Sequence, residues 1–121
     1  MLFTGPCIIT NQVATVSKFY DMVLGTTSDI NDVHTVIETE GAKLIIYSRE
    51  AAKEDMGLLF GEGPSQIILQ FLVDDVDVHY EKLKQLDVHF INPPKTYPWG
   101  GRSMQFKDPD GNVVNFACNV K

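Results

Sequence analysis

Short runs rich in Val, Ile and aromatic residues alternate along this chain with two longer stretches whose apolar positions recur every three or four residues. The short runs cover residues 6–10, 34–38, 43–48, 66–73, 89–91, 103–106 and 113–118, and Gly, Pro, Asn or Asp bounds them, which predicts β-strands. A further short strand is expected over 27–30, and Gly41 marks a hairpin between the second and third runs. Over 13–24, Val13, Val16, Tyr20, Val23 and Leu24 share one helical face, with Asn11 as the expected N-cap and Gly25 as the stop. Over 76–86, Val76, Tyr80, Leu83 and Leu86 repeat that spacing, with Asp74 or Asp75 capping and acidic residues suiting the helix dipole. Residues 50–64 break the pattern. They are glycine-rich, carry Leu58, Leu59 and Phe60, and read as a long loop that serves as a linker, a lid or a dimer contact.

The two halves, about 1–60 and 65–121, therefore run in the same order: strand, helix, several strands. A small sheet with one helix leaves an apolar face bare, and pairing two such modules buries both faces. The expected fold is α+β, a single domain spanning 1–121 and built from two βαβββ modules.

Charge narrows the partners. With 10 Lys and Arg against 16 Asp and Glu, the chain carries a net charge of −6 and no basic cluster, which disfavours nucleic acid and anionic membranes. No apolar run approaches the ~20 residues that span a bilayer. The first residues lack the basic segment and long apolar core of a signal peptide. Cys7 and Cys118 are far apart and in no Cys-x-x-Cys arrangement, as expected of free thiols in a reducing cytoplasm. No nucleophile elbow, phosphate loop or His-Glu-x-x-His motif occurs. Cys7 is the one nucleophile on a predicted core strand, and no His or acid stands beside it in sequence to activate it.

The end of the chain carries the most specific pattern. Trp99-Gly100-Gly101-Arg102 leads into a strand, then Asp108-Pro109-Asp110-Gly111-Asn112, then a second strand to Phe116. Pro presets φ, Gly accepts positive φ, and the Asp and Asn side chains bond nearby backbone, so the pentapeptide reads as a tight hairpin turn. That hairpin resembles the C-terminal hairpin of the vicinal oxygen chelate superfamily, which includes glyoxalase I, extradiol dioxygenases, fosfomycin-resistance enzymes and bleomycin-resistance proteins. Phe19-Tyr20-Asp21-Met22-Val23-Leu24-Gly25 is similar to the end of that family's first helix, and Phe71-Leu72-Val73-Asp74-Asp75-Val76-Asp77 to the start of its second module. The resemblance implies paired βαβββ modules forming a curved mixed sheet around a cleft.

It also implies where a metal would be held, and the residues there are unsuited. The family's first His position falls on Gly5, its second on Ile68 (Ser65 in the other repeat register), and its terminal Glu on Asn115. A further position lies within 42–48, which holds no acid or His. A divalent ion needs three or more such donors. His34, His79 and His89 lie elsewhere, in spacings that match no ligand pair. We therefore expect neither a metal nor another cofactor, and no catalytic residue.

What remains is a cleft able to bind. Alternation puts Gly5, Cys7 and Ile9 on one strand face, Ile68 and Gln70 on another, and Asn115 and Ala117 on a third. Tyr97, Trp99 and Arg102 precede the terminal hairpin, near the cleft mouth of family members. The expected ligand-binding set is Cys7, Tyr47, Gln70, Tyr97, Trp99, Arg102 and Asn115, an apolar and aromatic wall with a few hydrogen-bonding groups. The leading expectation is a cytoplasmic, homodimeric, metal-independent binder of a planar or aromatic small molecule, akin to the bleomycin-resistance branch. The alternatives are a metal-dependent lyase, transferase or dioxygenase with an atypical site, and a non-catalytic interaction domain that uses Leu58-Leu59-Phe60.

Overall fold

The computed structural model describes residues 2–64 and 66–119. Among them are seven strands and three helices, which form two compact units, Met1–Gly63 and Pro64–Lys121. No helix among the described residues is long and apolar enough to cross a membrane. The architecture is mixed α+β, as expected, with a sheet of three strands in the first unit and of four in the second.

In the first unit, β1 (Cys7–Thr10) is followed by α1 (Val13–Leu24), β2 (His34–Ile37), β3 (Leu44–Ser48) and α2 (Arg49–Met56). The order across the sheet is β1-β3-β2, with β1 parallel and β2 antiparallel to β3. Pairing of Ile8 with Ile46 and of Thr35 with Ile46 puts these residues on the face that α1 covers with Val16, Tyr20 and Val23. Alternation turns Cys7, Ile45 and Val36, then Ile9, Tyr47 and His34, to the opposite face.

Three sequence expectations change here. The segment 50–64 is not all loop. Ser48 caps α2 by accepting the Ala51 N–H at 3.2 Å, and Gly57, at φ 65°, ends it in the left-handed region. No strand forms over 27–30, because the Asp21 carboxylate accepts the Ser28 N–H (2.9 Å) and hydroxyl (2.7 Å) and draws that segment onto the end of α1. The α1 N-cap is Gln12, with no side-chain cap bond, and not Asn11.

The second unit contains β4 (Ile68–Leu72), α3 (Val76–Leu83), β5 (His89–Thr96), β6 (Gly101–Lys107) and β7 (Val113–Asn119), in the sheet order β4-β7-β6-β5. Asp75 caps α3 by accepting the Asp77 and Val78 N–H groups, and α3 stops three residues short of the expected Leu86. Strand β5 runs five residues beyond the expected Ile91, with register shifts between Phe90 and Asn92 and between Asn92 and Lys95. Leu69, Val114, Phe106, Phe116 and Met104 face α3, with the Phe106 and Phe116 rings meeting edge to face at 5.0 Å.

The turn between β6 and β7 is a self-contained knot. Buried Asp108 accepts the N–H groups of Asp110 (2.9 Å) and Asn112 (2.8 Å) and the Asn112 side-chain amide (2.9 Å), while Gly111 sits at φ 88°. That turn fixes the register Val113–Lys107, Asn115–Gln105 and Ala117–Ser103 along the hairpin.

Candidate functional site

The face of the four-stranded sheet opposite α3 carries a row of carboxamides. Cross-strand pairing lines up Gln70 on β4, Asn115 on β7, Gln105 on β6 and Asn92 on β5. They are joined in sequence: the Asn92 amide donates to Gln105 Oε1 at 2.9 Å, Gln105 Nε2 donates to Asn115 Oδ1 at 2.6 Å, and Asn115 Nδ2 donates to Gln70 Oε1 at 3.4 Å. Gln105 also donates to the Ser103 hydroxyl at 3.2 Å. Linked amides polarise one another, so the row is a directional chain of neutral dipoles. At its two ends the Gln70 NH₂ and the Asn92 carbonyl have no partner among the described residues.

Apolar residues flank this row on β4 and β7. Ile68 pairs with Val113 on one side of it and Leu72 with Ala117 on the other, and Ile68 and Leu72 are 56% and 83% exposed. On β5 and β6 the flanks are polar instead, with His89 and Lys107 on one side and Lys95 and Ser103 on the other.

Tyr97 and Trp99 stand at the tip of the β5–β6 hairpin. Tyr97 N–H donates to the Gly101 carbonyl at 2.8 Å and Gly100 N–H to the Tyr97 carbonyl at 2.9 Å, which closes a three-residue loop with Gly100 at φ 91°. The two rings stack with centroids 4.9 Å apart and planes 9° from parallel. Lys95 places its ammonium 5.2 Å from the centre of the Tyr97 ring, which sets the stack on the same side of the sheet as the amide row. Trp99 is 78% exposed, so its outer face is bare.

Arg102 is placed otherwise. Its register puts it on the α3 side of the sheet, where it forms a bidentate pair with Asp77 at 2.8 Å and 2.8 Å and donates to Thr96 at 3.0 Å. The bond from Arg102 holds the Asp77 carboxyl below its ordinary value, and Asp77 in turn raises the guanidinium. Arg102 thus belongs to a structural tie and is not brought together with Gln70 and Asn115.

Cys7 and Tyr47 lie on the open face of the first unit's sheet. Desolvation raises the Cys7 thiol, which keeps it protonated near neutrality. Tyr47 donates its hydroxyl to Asp55 at 3.2 Å and meets the His34 ring edge-on at 5.7 Å. Desolvation, followed by the hydrogen bond to Asp55, raises its phenol.

The three positions that the resemblance assigns to metal ligands do not fit a divalent ion. Gly5 has φ 131°, and a Cβ built there would stand 1.9 Å from the Lys43 carbonyl oxygen, so no side chain of any kind fits. Ile68 has no donor atom. Asn115 offers only a neutral amide oxygen, with no charge to bring to a divalent ion. The alternative position, Ser65, lies outside the described residues. Among the described residues, no three His, Cys, Asp or Glu side chains lie close enough together to hold a metal.

Gln105, Asn92 and Ser103 escaped the sequence reading. Alternation along β6 puts Gln105 and Ser103 on one face, and the turn at 108–112 pairs Gln105 with Asn115, so that much of the row was open to deduction. Asn92 was not, because it follows a bulge and precedes two prolines.

The family model for the Glyoxalase/Bleomycin resistance protein/Dioxygenase superfamily matches residues 4–116. The uncharacterized protein YraH of Bacillus subtilis (strain 168) is 34% identical over 86 residues, 67% of each chain. Among solved structures, a glyoxalase/bleomycin resistance protein/dioxygenase from Nocardioides superposes with a TM-score of 0.82 at 24% identity, over 96% of this chain and 82% of its own. A lactoylglutathione lyase from Agrobacterium tumefaciens gives a TM-score of 0.73 at 18% identity, over 93% and 90%. At these identities the two structures show the fold alone.

Proposed function

The chain belongs to the glyoxalase/bleomycin resistance protein/dioxygenase superfamily, and from that premise we propose that it is a metal-independent binding protein for a planar or aromatic small molecule. In this reading it is closest in character to the bleomycin-resistance branch. Its two modules form one domain, and it works in the cytoplasm as a homodimer whose ligand is an antibiotic or another aromatic compound.

One observation carries the reading. Where the superfamily's metalloenzymes place a carboxylate, this chain places the Asn115 carboxamide and ties it to Gln105 at 2.6 Å. An amide holding its neighbours in a neutral chain suits hydrogen bonding to a ligand, not charge donation to a cation. The Tyr97–Trp99 stack supplies an aromatic plate on the same side of the sheet, and apolar contact with a few placed polar groups is how small-molecule sites are made.

The test combines a thermal-shift screen of planar aromatic compounds, run with and without EDTA, with elemental analysis of the untagged protein. A ligand that prefers the folded state must raise the melting temperature by mass action. The reading expects hits that survive EDTA. Stoichiometric zinc, nickel, manganese or iron, or hits abolished by the chelator, would replace it with a metal-dependent enzyme.

A further inference from the structure

We propose that the Gln70–Asn115 end of the carboxamide row recognises the amide edge of a neutral planar molecule, a carboxamide, lactam or imide, in preference to the matching carboxylate. This refinement rests on the small-molecule reading above.

It follows from which hydrogen-bonding capacity is spent and which is spare. Gln70 Oε1 accepts from Asn115, so the Gln70 NH₂ points its donors elsewhere. Asn115 Oδ1 accepts from Gln105 and keeps a second lone pair. Adjacent strands therefore present one unspent donor and one unspent acceptor side by side, on residues that pair directly in register. An amide edge offers the complement, a carbonyl for Gln70 and an N–H for Asn115. A carboxylate offers acceptors only, so one of its oxygens would face the Asn115 oxygen without a proton between them.

The surroundings favour the neutral partner as well. The row holds no ionised side chain, and its neighbours on these two strands are Ile68, Val113, Leu72 and Ala117, which suit the faces of a ring. The cationic groups of this face, Lys107 and Lys95, lie on β6 and β5. A carboxylate drawn to them would lie away from Gln70.

The probes are benzamide, benzoate and acetophenone, three planar molecules of similar size that differ in the edge they offer. Each is titrated into the uniformly ¹⁵N-labelled full chain, and backbone and side-chain NH₂ resonances are followed together. Benzamide is expected to shift the Gln70 and Asn115 side-chain signals and to bind at least ~10-fold more tightly than the other two, the difference of roughly one well-made hydrogen bond. Gln70→Met, at an exposed position that tolerates the change, should weaken benzamide and acetophenone several-fold alike, because both offer a carbonyl to the Gln70 donor, and unchanged benzamide affinity in this variant would overturn the assignment. Benzoate or acetophenone binding as tightly as benzamide would overturn the amide preference while supporting a small-molecule site. Absence of shifts anywhere in the chain with all three probes would overturn the preference and count against the site itself.

Discussion

A Cβ atom on Gly5 would lie 1.9 Å from the carbonyl oxygen of Lys43, inside any van der Waals contact. The Lys43 N–H also donates to the Thr4 carbonyl at 3.0 Å, so the two backbones are fastened together where the clash would occur. With φ at 131°, the position is closed to side chains by conformation as well as by space. Gly5→Ala is therefore expected to cost more than about 2 kcal/mol in urea melts. The same clash means that Gly5→His combined with Ile68→His and Asn115→Glu should not build a metal site. A folded triple variant binding zinc tightly would show that position 5 accepts a side chain after all.

The Asp77–Arg102 pair predicts a pH dependence. Its bidentate bond lowers the Asp77 carboxyl below the ordinary carboxylate value. A depressed folded value stabilises the protein at pH above the unfolded pKa, near 4, and that contribution is lost as pH falls through the folded value. Asp77→Asn should flatten the fall in melting temperature on the acid side and slightly lower the plateau near neutrality. The pair is partly solvent-exposed, so both effects should be small and should shrink in high salt. Unaltered acid-side melting curves would mean that the tie contributes nothing.

How far the sequence led can be judged residue by residue. The sheets and their main helices were legible, because strand periodicity, Gly25 and the turn at 108–112 act locally and survive any tertiary context. Helix α2 was missed because its only buried residue is Ala52, which leaves almost no apolar stripe to detect. Its caps, Ser48 and Gly57, were the available signals. The expected strand over 27–30 gave way to Asp21, whose bonds to Thr26 and Ser28 cannot be read from periodicity. At the site, Gln70 and Asn115 came from alternation and do pair. Arg102 is close to them in the order of the loop and hairpin, but parity along β6 turns it to the other face. Side-chain parity was thus the better guide.

Arg49 clips the segment after α2. Its Nε donates to the Phe60 carbonyl at 2.9 Å and its Nη1 to Glu62 at 3.0 Å, beneath the exposed run Leu58-Leu59-Phe60. Arg49→Ala should speed chymotrypsin cleavage within 58–60 several-fold while costing less than about 1 kcal/mol of global stability. A collapse of the whole fold would instead make this segment part of the structural core.

Trp99 separates packing from binding. Its 78% exposure leaves the Tyr97 ring as its ordered aromatic partner, at 4.9 Å, and such a stack is worth about 0.5–1.5 kcal/mol. A core Trp truncated to Ala costs roughly 3–5 kcal/mol. Trp99→Ala should therefore lower stability by less than about 1.5 kcal/mol, and iodide should quench the wild-type indole fluorescence readily. If the bare indole face stacks on ligand, affinity for the strongest hit of the aromatic screen should drop at least ~30-fold, the equivalent of about 2 kcal/mol. Urea melts beside calorimetric titrations of the same variant read the two quantities independently. A small stability loss with unchanged affinity would leave the amide row, not the aromatic hairpin, as the site of binding. A large stability loss with unchanged affinity would assign the ring to an interface between protein surfaces, which dilution of the protein during the melt would expose as a concentration-dependent midpoint.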